Sequence, residues 1–177
     1  MCIRDSPDGT ELKSISANLP VDGRPYIMDG WFTDAQRVIL RSALPGYAGS
    51  IYLISPTNGQ VSPMFETLLT KAVFIASPDA SLLAYDEYDY NSQNHFLKTI
   101  SPDAANVVTL ANFSGGTLYP LVWSPDSKFI AFNYYRGFTN SESGAEVYVV
   151  SRNGENLSLV YKGVTVARLV FSPNGKY

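Results

Sequence analysis

A short pattern returns at nearly fixed spacing along this chain. An apolar stretch runs into a turn at Trp31 to Asp34 (WFTD), Ile75 to Asp79 (IASPD), Trp123 to Asp126 (WSPD) and Phe171 to Asn174 (FSPN). The acidic or amide position falls at 34, 79, 126 and 174, so the intervals are 45, 47 and 48 residues. A unit of that length cannot bury its own apolar face. Neighbouring copies must stack on one another, which restricts the chain to a solenoid, a propeller or a related array.

Each of the three complete copies continues in the same register, with apolar residues four and six positions after the aspartate: Val38 and Leu40, Leu83 and Tyr85, Ile130 and Phe132. Alternation with a period of two is the mark of a strand. A further apolar and aromatic run follows at Ile51 to Ile54, Phe96 to Ile100 and Val147 to Val150. It leads into another turn at Thr57-Asn58-Gly59, Pro102-Asp103-Ala104 and Arg152-Asn153-Gly154, and then into one more extended stretch. Asn-Gly at two of these turns supplies the positive φ that a hairpin needs. Each copy therefore reads as four antiparallel strands, A to D, with blades near 25–66, 70–113 and 117–161 and the start of another at 165–177. Residues 6–17 match the last turn and D strand of an earlier copy.

The motif is self-sufficient as structure. Pro78, Pro125 and Pro173 preset φ for the turn, and Asp34, Asp79 and Asp126 have carboxylates that accept from turn N–H groups. Trp31, Trp123 and Phe171 read as packing residues between adjacent sheets rather than as a cofactor platform.

Composition removes several chemistries. The chain has one cysteine, Cys2, and one histidine, His95, so an intramolecular disulfide and a clustered Cys/His metal site are both excluded. Thirteen basic against sixteen acidic side chains give a formal charge of −3, too little bias for a nucleic-acid surface. No run approaches the ~18 apolar residues of a membrane span. No GxGxxG or GxxxxGK[ST] phosphate cradle occurs, and no cofactor is expected. The first six residues, Met1 to Ser6, fit no helix or strand pattern and are read as a non-native scar, with 7–177 as one domain cut at both ends. Such a piece is expected to be poorly stable or self-associating where missing blades leave edges bare.

The segments WSPDSKFIAF (123–132) and EVYVVSRNGENLSLV (146–160) resemble the WD-like propeller repeat of the TolB type, which also builds the propellers of dipeptidyl-peptidase and prolyl-oligopeptidase relatives. The resemblance runs over nearly the whole chain from Ser6 and is strongest in the third copy. Thr33 replaces proline in the first copy, and the second copy has Ile75 and Ala76 before its Ser-Pro-Asp in place of a tryptophan. It implies an all-β partial propeller of four-stranded antiparallel blades, about three complete with partial blades at both ends. It also implies a bacterial, extracytoplasmic setting, periplasmic or extracellular. Closed propellers typically hold four to eight blades.

In such a blade the A–B and C–D turns lie at one end, and the B–C loops and D–A links at the other. The long connections, 41–49, 86–94 and 134–144, belong to the B–C set, which makes that end the candidate binding face. Asp86, Glu87 and Asp89, interleaved with Tyr88 and Tyr90, have the oxygen chemistry for a hard cation or a basic peptide group. Their spacing lacks the order of a dedicated calcium loop, so no metal is assigned and a solvated loop is the plainer reading. Tyr134, Tyr135, Arg136 and Phe138 have the composition of an interaction hot spot, although some of these tyrosines would serve equally to pack on a neighbouring blade. His95 reads as a polar strand-end residue, since no Gly-x-Ser-x-Gly elbow accompanies it. Asn112 and Asn156 lie in Asn-x-Ser sequons. The expected function is a non-catalytic module that binds a protein, peptide or glycan at the loop end, with no catalytic residue of its own. The alternative is the substrate-gating propeller of a serine peptidase whose hydrolase domain lies outside this sequence. A propeller-type polysaccharide lyase ranks last, because the histidines it would need are absent here.

Overall fold

The computed structural model describes residues 2–4, 12–14, 18–21, 23–34, 36–42, 49–67, 74–136, 144–164, 166 and 168–175. All regular structure among them is β. In chain order the strands are β1 (Cys2–Arg4), β2 (Leu12–Ser14), β3 (Tyr26–Trp31), β4 (Val38–Ser42), β5 (Gly49–Ile54), β6 (Val61–Thr67) and β7 (Phe74–Ala76). They continue as β8 (Leu83–Asp89), β9 (Asn94–Ile100), β10 (Val107–Ser114), β11 (Thr117–Trp123), β12 (Phe129–Tyr135), β13 (Ala145–Ser151) and β14 (Ser158–Gly163). Three four-stranded sheets result, β3-β4-β5-β6, β7-β8-β9-β10 and β11-β12-β13-β14, each a simple antiparallel meander. The expected all-β class and four-stranded unit are what the chain forms. Among the described residues there is no helix long and apolar enough to cross a membrane.

One expectation fails at the start of the chain. Cys2–Arg4, where no element was expected, pairs antiparallel with Leu12–Ser14 as a two-stranded sheet.

The period-two pattern sends alternate side chains to opposite faces of each sheet, and both faces are used. Ile39, Ile51 and Leu53 of the first sheet pack against Phe74, Leu83 and Tyr85 of the second. The other face of the second sheet, with Ala84, Leu97 and Leu110, packs against Leu118, Trp123, Ile130, Phe132 and Val150 of the third. Burying each such aliphatic or aromatic side chain contributes roughly 1.5–3 kcal/mol, so stacking between sheets is the main source of cohesion.

The tight turns use one device repeatedly. Ser77, Ser101, Ser124 and Ser151 each accept, through the carbonyl, from the N–H of the residue three positions on, at 2.8 to 2.9 Å. Each also donates its hydroxyl to the Asp or Asn two positions on. The fourth residue takes a left-handed conformation, with φ of 57° at Ala80, 60° at Ala104, 60° at Ser127 and 85° at Gly154. The Ser-Pro-Asp turn and the Ser-Arg-Asn-Gly turn are therefore one structure, although a glycine marks only the latter in sequence.

The same end of the molecule clamps the sheets together. Thr33, in the place of the repeat's proline, donates its hydroxyl to the Ser77 carbonyl of the next sheet. Asp79 N–H donates to Ser127 Oγ at 3.0 Å, and Arg152 donates to Asp79 Oδ2 at 2.9 Å and to Ser81 Oγ at 2.8 Å. Trp123 Nε1 donates to the Ile75 carbonyl at 3.0 Å, so this ring bridges two sheets. Trp31, at the same repeat position, is 40% exposed. Phe171 is half-buried, and the Ser172 turn that follows it closes on Gly175 N–H at 2.9 Å.

Candidate functional site at the loop end

The loop end of the second and third sheets is more strand-like than its polar sequence suggests. Asp86 to Asp89 lie on β8, which leaves 90–93 as the connection to β9, so the acidic run is not a loop. Tyr134 and Tyr135 likewise finish β12. Phe138 lies outside the described residues. The reason is shared: alternating polar and aromatic residues can sit on a strand whose one face is covered by the next sheet.

The face of β8 that carries Ala84 also carries Asp86 and Tyr88, and it is turned toward the third sheet. Asp86 is 8% exposed and His95 9%, and His95 Nδ1 lies 2.9 and 3.0 Å from the two carboxylate oxygens. Burial raises the Asp86 pKa and the Glu87 charge adds to this, while the hydrogen bond and charge of His95 oppose the rise. Tyr88 covers the imidazole at 4.7 Å between ring centroids and meets Tyr90 edge-on at 4.9 Å. Tyr90 is 50% exposed at the rim.

The other carboxylates of the run have partners of their own. Glu87 accepts from Lys98 Nζ at 2.9 Å. Asp89 caps its turn, accepting from Asn91 N–H at 2.9 Å and Ser92 Oγ at 2.6 Å. Among the described residues no group of three or more His, Cys, Asp or Glu side chains converges on a point. His95 is the residue that the sequence reading undervalued. Its signal was positional: Arg41, Asp86 and Asn133 stand seven residues after the aspartate in their respective copies. A polar side chain recurs there, on the B strand of each sheet. Arg41 is bidentate to Asp29 at 3.0 and 3.1 Å, Asp86 takes His95, and Asn133 is fully buried with neither amide atom bonded. Ala145 occupies in the third sheet the ladder position that His95 holds in the second.

Between the same two sheets lies an aromatic wall. Phe113 of β10 is 4.6 Å from Tyr134 and 5.0 Å from Tyr148, and Phe132 stacks on Tyr148 at 5.7 Å. Tyr134 is 5% exposed and donates to the Ser114 carbonyl at 2.8 Å, so it serves packing between sheets. Tyr135 is half-buried and its hydroxyl lies 3.3 Å from the backbone N and O of Val166. The link between the two sheets crosses directly over this wall. A Cβ on Gly116, whose φ is +72°, would stand 2.2 Å from the Tyr135 carbonyl oxygen and 2.5 Å from the Tyr134 ring. Of the three described members of the predicted group Arg136 is the exposed one, with its guanidinium 5.8 Å from the Tyr134 ring.

At the opposite, tight-turn end a groove of about 520 Å³ runs between the second and third sheets. Leu82, Val108 and Phe129 supply its apolar surface and Asn106, Asn153 and Asn156 its amides.

Known structures give the fold a class. No family model matches the chain, and no curated protein matches its sequence. Solved structures do match. TolB from Acinetobacter baumannii superposes over 96% of this chain and 40% of its own, with a TM-score of 0.69 at 20% identity. Oligogalacturonate lyase from Vibrio parahaemolyticus covers 93% of this chain and 48% of its own, with a TM-score of 0.64 at 13% identity. One of two prolyl endopeptidases covers 87% of this chain and 25% of its own, with a TM-score of 0.64 at 15% identity. The chain thus spans less than half the length of each of these proteins. The fold is that of β-propeller blades, similar to the TolB-type and peptidase propellers, and identity at this level speaks for fold alone.

Proposed function

We propose that this chain is the binding part of a β-propeller that takes a protein, peptide or glycan at its loop end and carries out no chemistry there itself. The observation that carries this reading is the loop-end edge of the second and third sheets. Buried Asp86, His95 and Tyr134 and half-buried Phe113 stand beside exposed aromatic and guanidinium groups, Tyr90 and Arg136. Such groups yield contact area at small entropic cost, and a fixed frame lowers that cost further. A bacterial, extracytoplasmic location belongs to the same proposal and rests on the TolB-type likeness. Selection of a displayed peptide library on the full chain tests it. Enriched peptides should lose roughly tenfold in affinity with Tyr90→Ala or Arg136→Ala and be indifferent to Phe129→Ala at the other end. Failure to enrich any peptide, together with silence on a glycan array, refutes the reading.

The likeness to a prolyl endopeptidase favours a second reading, a propeller that gates substrate for a serine peptidase. The parent gene discriminates. A strand, Gly-x-Ser-x-Gly and a helix downstream of these blades support the peptidase, and their absence from the complete gene removes it.

A further inference from the structure

The charges at the loop end are unequally distributed. On the second sheet Glu87 is paired with Lys98, Asp86 is hydrogen-bonded to His95, and Asp89 accepts from neutral donors of its own turn. On the third sheet the balance runs the other way. Glu146 of β13 is buried, with its side chain 5% exposed, and it is the shared anchor of two cations. Lys162 Nζ of β14 lies 3.0 Å from Oε1, and Arg136 Nη2 lies 3.8 Å from Oε2, which also accepts from the Tyr148 hydroxyl at 2.9 Å. Both cationic side chains reach outward, Lys162 65% and Arg136 53% exposed. Burial would raise the Glu146 pKa, but the hydrogen bonds from Lys162 and Tyr148 and the charges of Arg136 and Lys162 outweigh it and hold it below the ordinary value. Glu146 is therefore ionised at neutral pH, and the trio carries one net positive charge. Among the described residues nothing else neutralises it.

We infer that the partner of the loop end is an acidic peptide segment, whose carboxylates bridge the Arg136 guanidinium and the Lys162 ammonium above the buried Glu146. This rests on the proposed binding role of the same end and names its ligand chemistry. The Arg136 fork suits a carboxylate in bidentate fashion, and Lys162 supplies a point charge beside it. Glu146 acts as a positioning residue: it fixes where both cations stand while giving up one of their two charges. The neighbouring tyrosine and phenylalanine wall, from Phe113 to Tyr148, favours an occupant with aromatic or aliphatic side chains interleaved with its acids. A basic segment is disfavoured at this spot, because it would meet the two exposed cations of the third sheet.

The test uses the full chain and three fluorescein-labelled peptides of one length, alternating Tyr with Glu, Gln or Lys, read by anisotropy at low and high salt. The Glu peptide should bind tightest and weaken as salt rises. The double variant Arg136→Gln/Lys162→Gln should lose roughly tenfold or more of that affinity with an unchanged melting temperature. Equal binding of the Glu and Gln peptides, or a tighter Lys peptide, overturns the acidic assignment while leaving a peptide-binding loop end in place. Binding of none of the three, with an oligogalacturonate probe bound instead at Arg136 and Lys162, overturns the peptide and assigns the same cations to an acidic sugar. Silence from every probe removes the loop end as a binding site altogether.

Discussion

His95→Ala should cost more stability than Asp86→Ala, even though both delete the same contact. The two losses leave different groups behind in a site about 90% shielded from water, with Asp86 8% exposed and His95 9%. Without Asp86, the imidazole loses its hydrogen-bond partner, a cost of about 1–3 kcal/mol. Without His95, a buried carboxylate stands alone. It must stay charged and unpaired, at about 3–5 kcal/mol, or take up a proton at pH 7 against an ordinary pKa near 3.9, which costs about 4 kcal/mol. The sign with pH follows from the protonation route. In the His95→Ala chain the folded-state pKa of Asp86 lies further above its unfolded value than in the parent. The stabilising protonated form is fully present below the unfolded value and is lost as pH rises through the folded one. The deficit of His95→Ala against the parent should therefore shrink between pH 7 and pH 4.5, whereas that of Asp86→Ala should not shrink in the same way. Urea unfolding at both pH values, followed by tryptophan fluorescence, measures this, and Asp86→Leu/His95→Leu should recover most of the loss. Equal costs for the two single variants, or a His95→Ala deficit that does not change with pH, refute the reasoning.

Three other outcomes follow from the geometry. Gly116→Ala meets a backbone oxygen that cannot yield and a φ that side chains avoid, so it should destabilise by more than about 1 kcal/mol and loosen the Tyr134 packing, visible as a lower melting temperature. Trp123→Phe removes the Nε1 bond to Ile75 and should cost roughly 1–2 kcal/mol, while Trp31→Phe at its exposed site should stay within about 0.5 kcal/mol, both read from urea midpoints. Arg152→Met opens the clamp at Asp79, where burial pulls the carboxyl pKa up but the bonds from Ser77, Ser81 and Arg152 take it well below the carboxylate range. A depressed folded pKa confers stability above the unfolded value that is lost as pH falls through the folded one. The cost of this half-exposed pair, about 0.5 kcal/mol, should therefore be flat from pH 8 to 5 and decline only in strong acid, by melting temperature against pH.

The meander was legible because its cause is local. Val38, Leu83 and Ile130 alternate with their neighbours in the same register after each turn, and Ser, Pro, Asp and Gly punctuate the ends. What stayed hidden depends on the next sheet. The run from Asp86 to Asp89 resembles a loop when its polarity is read alone, because the sequence does not show that the face shared by Ala84 and Asp86 is turned toward the third sheet. Tyr134 and Arg136 are alike as hot-spot residues in sequence, yet one is 5% exposed and the other, by side chain, 53%. Trp31 and Trp123 occupy one repeat position and differ only in what stands against them.

The bonds at the tight-turn end join consecutive sheets through partners 44, 48 and 48 residues apart, from Thr33 to Ser77, Asp79 to Ser127 and Ile75 to Trp123. Each sheet thus carries a tongue on one side and a groove on the other, cut to a common gauge. Because the fastening lies at the end away from the B–C loops, an insertion in such a loop changes the count of residues between fastened partners but not their position in space. A gene can then duplicate, delete or exchange a whole sheet, or rewrite a loop, without undoing a fastener, and recognition at one rim becomes free to diverge while the other rim keeps the stack in register.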